Sequence, residues 1–388
     1  MAEIEDGRER PQISTSVALD ALFLMFFGRI GSLNGLAQTR PSAFWSRRLG
    51  CRLPSADTLG RVMTGIDPDD FREMLYEFYR TQKASKAVSA PSHGLIALVV
   101  DGHESTSSDR RCCPGCLVRN IDVGGVKREQ YYHRYVGGLL VGENVAIWID
   151  IEPQHRGEDE VAAARRLVER VHHRLPRSFD VVAGDGLYAQ APFFRAVRAL
   201  GKDVIAVLKR EELLLTREVR ELCAQINPPT QVEGNHTARY WDFEHLTLGE
   251  GEGVPVRVVR SIETTTARRQ RTRQVEEVTC EWLWVTTIER SRLPTRGVVD
   301  LGHGRWVIEN EGFNQISRSG WALDHVYRHD PVAIEALTLL GMLAANVGQA
   351  FYDRDLKPEL RKRTTLAHVV SLIAAGIRLG QDARGASP

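Results

Sequence analysis

The sequence predicts an α/β protein: a mixed sheet flanked by helices, interrupted by a β-rich insertion and preceded by a helical region. Three observations carry this. Between residues 94 and 220 the apolar pattern runs strand, strand, strand, helix, strand, helix, strand. Residues 221–290 then return to strand-like alternation broken by turn residues. At both ends, in residues 12–88 and 298–388, apolar residues recur at helical three-to-four spacing. The expected division is a helical domain at 1–90, a core in two parts at 91–220 and 293–388, and a β-rich insertion at 221–292.

The first helix is carried by Val17, Leu19, Leu22, Phe23, Phe26 and Phe27. A second is expected from Ser55, where Ser-Ala-Asp-Thr offers capping oxygens before Leu59 and Val62. A third begins near Pro68-Asp-Asp, with acids in its first turn. The apolar run 95–100 has strand length and stops at Asp101-Gly102. Strands at 130–140 and 144–152 flank a turn at Gly142-Glu143, and a helix covers 157–174. A strand at 179–183 runs into Gly184-Asp185-Gly186, followed by a helix at 191–200 and a strand at 204–208. Strands are expected at 238–248, 254–265 and 275–288, and helices at 305–316, 331–352 and 366–379.

Composition narrows the class. With 43% hydrophobic and 26% charged residues the chain is an ordinary globular protein, neither disordered nor collagen-like. Six cysteines in 388 residues are too sparse for a disulfide framework. The opening MAEIEDGRERPQ is unlike a signal peptide, and the apolar run 21–27 falls far short of the ~20 residues that span a bilayer. A cytoplasmic protein without a membrane partner is the expectation. Net charge is only +1, but residues 257–274 hold six arginines (257, 260, 268, 269, 271, 273) against Glu263, a local +5. That run reads as a solvated hairpin edge or as a surface for the phosphate backbone. Arg47, Arg48 and Arg52 pose the same choice among the N-terminal helices.

The chemistry centres on acids. Ligands of open α/β sheets bind beyond the carboxyl ends of strands, where Asp101 and Asp185 both stand. If their strands are neighbours the carboxylates converge, and each resists ionising without a cation between them. Hard, oxygen-preferring Mg²⁺ relieves that repulsion, with Mn²⁺ as a substitute. Two such ions about 3.5–4 Å apart activate an attacking oxygen and stabilise a leaving one. The candidate third carboxylate is Glu309, one helical turn after Arg305. Glu104 and Glu311 are its rivals, and an isolated Asp-Gly also reads as a simple turn.

Val100-Asp101-Gly102, Ala183-Gly184-Asp185-Gly186-Leu187-Tyr188 and Arg305-Trp306-Val307-Ile308-Glu309-Asn310 resemble the three acidic segments of DDE insertion-sequence transposases, most closely the insertion-sequence-four-like family. The intervals of 84 and 124 positions fit, the second leaving room for a β-rich insertion. The resemblance implies a ribonuclease H-like core with Asp101, Asp185 and Glu309 as metal ligands. It implies hydrolysis at the element's ends, followed by strand transfer of the 3′-hydroxyl into target DNA. Arg305 would contact phosphate near the cut. The family's signature tyrosine and lysine fall at Gly302 and Ile316, with Arg318 as a candidate replacement for the lysine. Trp282 and Trp284 are candidates for stacking an extruded base, and Arg268, Arg269, Arg271 and Arg273 for DNA contacts. Implied partners are double-stranded DNA (terminal inverted repeats and target) and a second copy of the chain in a paired-end complex. The alternatives are a catalytically silent, domesticated DNA-binding protein and a ribonuclease H-like nuclease without strand transfer.

A second cluster is Cys112-Cys113-Pro-Gly-Cys116. Cys113 and Cys116 have the spacing of half a zinc site, with His103, His133 and Cys223 available to complete it. Unliganded thiols are the alternative reading. His325 and Asp324, after Trp321, either line the acidic site or are structural.

Overall fold

The computed structural model describes residues 4–211, 213–268, 275–318, 323 and 325–380. Five helices open the chain: α1 (Thr15–Phe27), α2 (Leu33–Gln38), α3 (Ala43–Leu49), α4 (Ala56–Met63) and α5 (Pro68–Ala84). Each starts at a residue whose side-chain oxygen accepts a backbone N–H: Ser14, Ser32, Ser42, Ser55 and Asp67. The cap expected at Ser55 is in place. The two short helices α2 and α3 were not expected, because six or seven residues hold too little periodicity to read.

Four strands follow: β1 (Ala97–Ser108), β2 (Leu117–Val123), β3 (Val126–Val141) and β4 (Ala146–Pro153). Next come α6 (Glu160–Arg174), β5 (Val181–Gly184), α7 (Ala191–Ala199), β6 (Asp203–Val207) and α8 (Leu214–Ala224). The insertion contributes β7 (Gln231–Glu233), β8 (His236–Leu248), β9 (Val254–Arg268) and β10 (Val275–Thr286). The chain then returns to helix in α9 (Thr295–Gly304), α10 (Asn314–Arg318), α11 (Pro331–Ala350), α12 (Pro358–Arg361) and α13 (Leu366–Leu379).

All ten strands form one sheet, ordered β2-β3-β1-β5-β6-β10-β9-β8-β7, with β4 also on β3. Within it, β4-β3-β1-β5-β6 has the order and directions of the expected ribonuclease H-like core. β1 runs antiparallel to β3 and parallel to β5, which is parallel to β6. The insertion prolongs this sheet, because β10 pairs antiparallel with β6. Two expectations are corrected. β1 does not stop at Asp101 but stays paired with β3 as far as Ser108 opposite Tyr131. β2 was not foreseen; it folds back on β3 through Gly124-Gly125, whose positive φ values suit a two-residue hairpin turn.

Alternation along the strands divides the core between the two faces of the sheet. Ala97 and Val99 belong to the apolar cluster shared with α1, α4, α5 and α11, whereas Leu98 and Val100 belong to the one shared with α6, α7 and α8. Helix α11 and its continuation to Asp355 are long and apolar enough to cross a bilayer, yet most of that stretch is buried within the protein. Asn346 fixes α11 to the sheet. Its Oδ1 accepts from Trp148 N (3.0 Å) and its Nδ2 donates to Trp148 O (2.8 Å), beside the irregularity in β3–β4 pairing at Gly138/Leu139.

A buried ion network joins three layers. Asp150, fully buried on β4, accepts from Arg72 Nε of α5 (2.9 Å), Arg170 Nε of α6 (2.8 Å) and Tyr76 OH (2.7 Å). Arg170 also donates to Glu152 (2.6 Å), and Arg72 pairs with Glu335 of α11. Burial, then the neighbouring Asp150 carboxylate, pushes the Tyr76 phenol well above its ordinary range, so it serves as a donor. Asp150→Asn keeps the shape and removes the charge both arginines face. It is expected to lower unfolding free energy by about 3–5 kcal/mol, read from urea titration. A loss below about 1 kcal/mol would show that the network is solvated.

Candidate active site

Sheet register brings the two aspartates together. Val99 pairs with Ala183 across parallel β1 and β5, so Asp101 and Asp185 each stand two residues beyond that pair. β5 ends at Gly184, and Asp185 caps the following turn by accepting from Leu187 N (2.8 Å). Asp101 lies inside β1, where its parallel partner has ended, and its Oδ1 accepts from Gly102 N (3.0 Å). The neighbouring glycines are close approaches. A Cβ on Gly102 would sit 2.0 Å from the Glu160 carboxylate, and one on Gly184 would sit 2.5 Å from the Tyr188 ring.

The third acid arrives from α9. After Gly304 the helix passes Arg305 and widens into a π-type segment, Ile308–Phe313, that carries Glu309. Such segments occur often at functional sites. Arg305 Nη1 donates to Glu309 Oε1 (2.6 Å). Burial pushes the Asp101 carboxyl up to about 7; the Arg305 guanidinium opposes the rise, while the carboxylates of Glu160, Asp185 and Glu309 add to it. Asp101 thus feels both other expected acids. The rivals face elsewhere: Glu104 is held by Arg119 (2.6 and 2.8 Å), and Glu311 lines a cleft of about 770 Å³ with Glu143 and Asp353.

Glu160 was missed. At the start of α6 it passes for an ordinary first-turn acid, and only the fold shows it packed beneath Gly102. It is 5% exposed, accepts from Tyr188 OH (2.7 Å) and pairs with Arg134. Burial and the Glu160 carboxylate hold the Tyr188 phenol well above its usual range, so it stays a donor.

Other expected residues fare unevenly. Arg305 is 4% exposed and engaged with Glu309, so a phosphate would have to reach it through the acid site. Trp284 is 1% exposed, with Gly302 pressed on its ring, and presents no face to a base. Trp282, partly exposed, stacks on Trp284 (5.7 Å) and meets Trp306 edge-on (4.8 Å). Within the basic run, Arg257 is buried in a bidentate pair with Asp242 (2.8 and 2.6 Å), and Arg260 donates to Glu281 (2.7 Å). Neither is part of an open phosphate-binding face. Arg268 ends β9 and Arg318 ends α10. Arg269, Arg271, Arg273, Trp321 and Asp324 lie outside the described residues. His325 packs edge-on against Tyr327 (5.0 Å).

A family model described as a transposase DDE domain matches residues 123–347, which include Asp185 and Glu309. No curated protein sequence matches the chain.

The raised Asp101 has a consequence for stability. Between its ordinary value of 3.8 and about 7 the native state holds a proton that the unfolded chain has released. Stability therefore falls as pH rises through that window, and the full penalty remains above it. At 1.36 kcal/mol per unit the ceiling is roughly 4 kcal/mol. Asp101→Asn, free of metal, is expected to melt above the wild type at pH 8 and to converge with it below pH ~4. Thermal melts across pH test this, and a variant less stable at pH 8 would refute it.

Proposed function

The chain belongs to the transposase DDE domain family, and on that premise we propose that it is the working transposase of an insertion sequence. It cuts double-stranded DNA at the element's terminal inverted repeats and transfers the freed 3′-hydroxyl into target DNA. The observation that carries this reading is the β1–β5 register, which sets Asp101 and Asp185 at matching positions beyond the last pair, with Glu309 near enough to help raise the half-buried Asp101 carboxyl. Oxygen donors in mutual repulsion fit a hard divalent cation, so Asp101, Asp185 and Glu309 are the proposed ligands for Mg²⁺, or Mn²⁺ in its place. When bound, the metal supplies activation of the attacking oxygen and charge stabilisation of the leaving one.

The chain's own residues prepare that site. Arg305 holds Glu309 in place and offsets part of the acids' charge. Glu160, anchored by Tyr188 and Arg134, backs the Asp101-Gly102 strand. Trp282, braced by Trp284 and Trp306, is the proposed surface for a displaced base. The segment Arg268 to Arg273 and Arg318 supply the proposed phosphate contacts.

The β-rich stretch between Asp185 and Glu309 supports placement among the insertion-sequence-four-like enzymes. The departures from that signature have packing reasons. Gly302 lies against the Trp284 ring, leaving no room for a tyrosine, and Ile316 is fully buried where the lysine would be. They bear on how the cut ends are processed rather than on the acid cluster. Two chains holding two ends complete the proposed assembly, which acts in the cytoplasm.

Labelled DNA carrying the element's terminal sequence, incubated with the protein and Mg²⁺ or Mn²⁺, is expected to be nicked at the end and then joined to target DNA. Asp185→Asn should reduce both by at least about 10³-fold while still binding DNA. Nicking without joining would indicate a nuclease that lacks strand transfer. Binding without cleavage in either metal would favour the catalytically silent reading.

A further inference from the structure

Among the described residues, one group of side chains apart from the acids has the chemistry of a metal site. Cys113 and Cys116, both buried on the loop between β1 and β2, face His133 of β3. The Cys113 and Cys116 sulfurs are 3.7 Å apart and lie 3.2 and 3.3 Å from His133 Nε2. In a tetrahedron with Zn–S of about 2.3 Å and Zn–N of about 2.0–2.1 Å, S···S edges are about 3.8 Å and S···N edges about 3.6 Å. We propose that Cys113, Cys116 and His133 bind a zinc ion that staples the β1–β2 loop to β3.

Three further contacts fit a preformed knuckle. Cys113 N donates to Cys116 Sγ (3.1 Å), and Cys116 N donates to Cys113 O (3.1 Å), closing the turn around Pro114-Gly115. Arg156 Nε, just beyond β4, donates to Cys116 O (2.6 Å) and fixes the loop from that strand. A Cβ on Gly115 would sit 2.8 Å from Pro331, so the loop also abuts the first turn of α11. Zinc binding releases the thiol protons and leaves two thiolates sharing the dipositive ion.

Thiolate and imidazole donors select zinc over the hard ion proposed for the acid cluster. The two sites are therefore chemically separate, although β1 serves both. Asp101 lies opposite Gly137 and Thr106 opposite His133 on the same pair of strands. The zinc ion would hold together the outer end of the hairpin that carries Asp101. One coordination position remains for a water; His329 lies against Arg111 instead (3.3 Å). His103, the other histidine the sequence offers, stacks on Phe313 (4.5 Å), and Cys223 is buried on α8.

The test uses the full chain, purified without chelator. Elemental analysis should find one zinc per chain. Replacement by Co²⁺ should give the intense visible bands of a tetrahedral site, with thiolate-to-cobalt charge transfer. Cys113→Ser and His133→Gln should each lose most of the metal, whereas Cys112→Ser and Cys223→Ser should retain it. The wild-type protein carries the decision whether or not the first pair of variants folds: no zinc, no tetrahedral Co²⁺ spectrum, or a Cys113–Cys116 disulfide would each overturn the proposal.

Discussion

Mutual repulsion of carboxylates gathered where β1 leaves its partner β5 is the constraint around which the site is arranged. Asp101 is pushed towards neutrality by burial and by Glu160, Asp185 and Glu309, with Arg305 as the opposing charge. Such an arrangement is unfavourable for folding alone, since hydrophobic residues of similar volume would pack without penalty. It becomes favourable when a divalent cation shares the charge. The fold therefore has to hold the acids together against their repulsion.

Rigid elements do this. Parallel pairing of β1 with β5 fixes the spacing of the aspartates, and a one-residue slip would turn one of them to the opposite face. Glu309 rides on the widened helical segment between α9 and α10, tied back by Arg305. Behind them, α11 is fastened to β4 through Asn346, and Asp150 ties α5 and α6 to the same strand. The N-terminal helices share the apolar cluster of α11 and the sheet, so they buttress the core directly.

Much of this was legible in the sequence, because buried strands and amphipathic helices have clear periods. The strand order makes Asp101 and Asp185 neighbours if their strands pair, and β1 does pair with β5. What escaped has physical reasons. The far half of β1 is polar and partly exposed, so no apolar run marks it. Glu160 has the address of a helix-start acid, and its contact with Gly102 arises only when α6 packs on the sheet. His133 was one of three candidates to join the cysteine pair, and only antiparallel pairing of β3 singles it out. Charge counting overstated the basic run, since Arg257 and Arg260 are already paired with acids.

The most direct test of the central claim is calorimetric titration of Mn²⁺ into the protein near pH ~6.5, in two buffers of different protonation enthalpy. Metal binding must displace the proton that Asp101 retains below about 7. The account predicts buffer-dependent heats from proton release in the wild type, and their loss with the binding itself in Asp101→Asn. Binding without proton release, or equal binding in the variant, would contradict it and place the metal elsewhere.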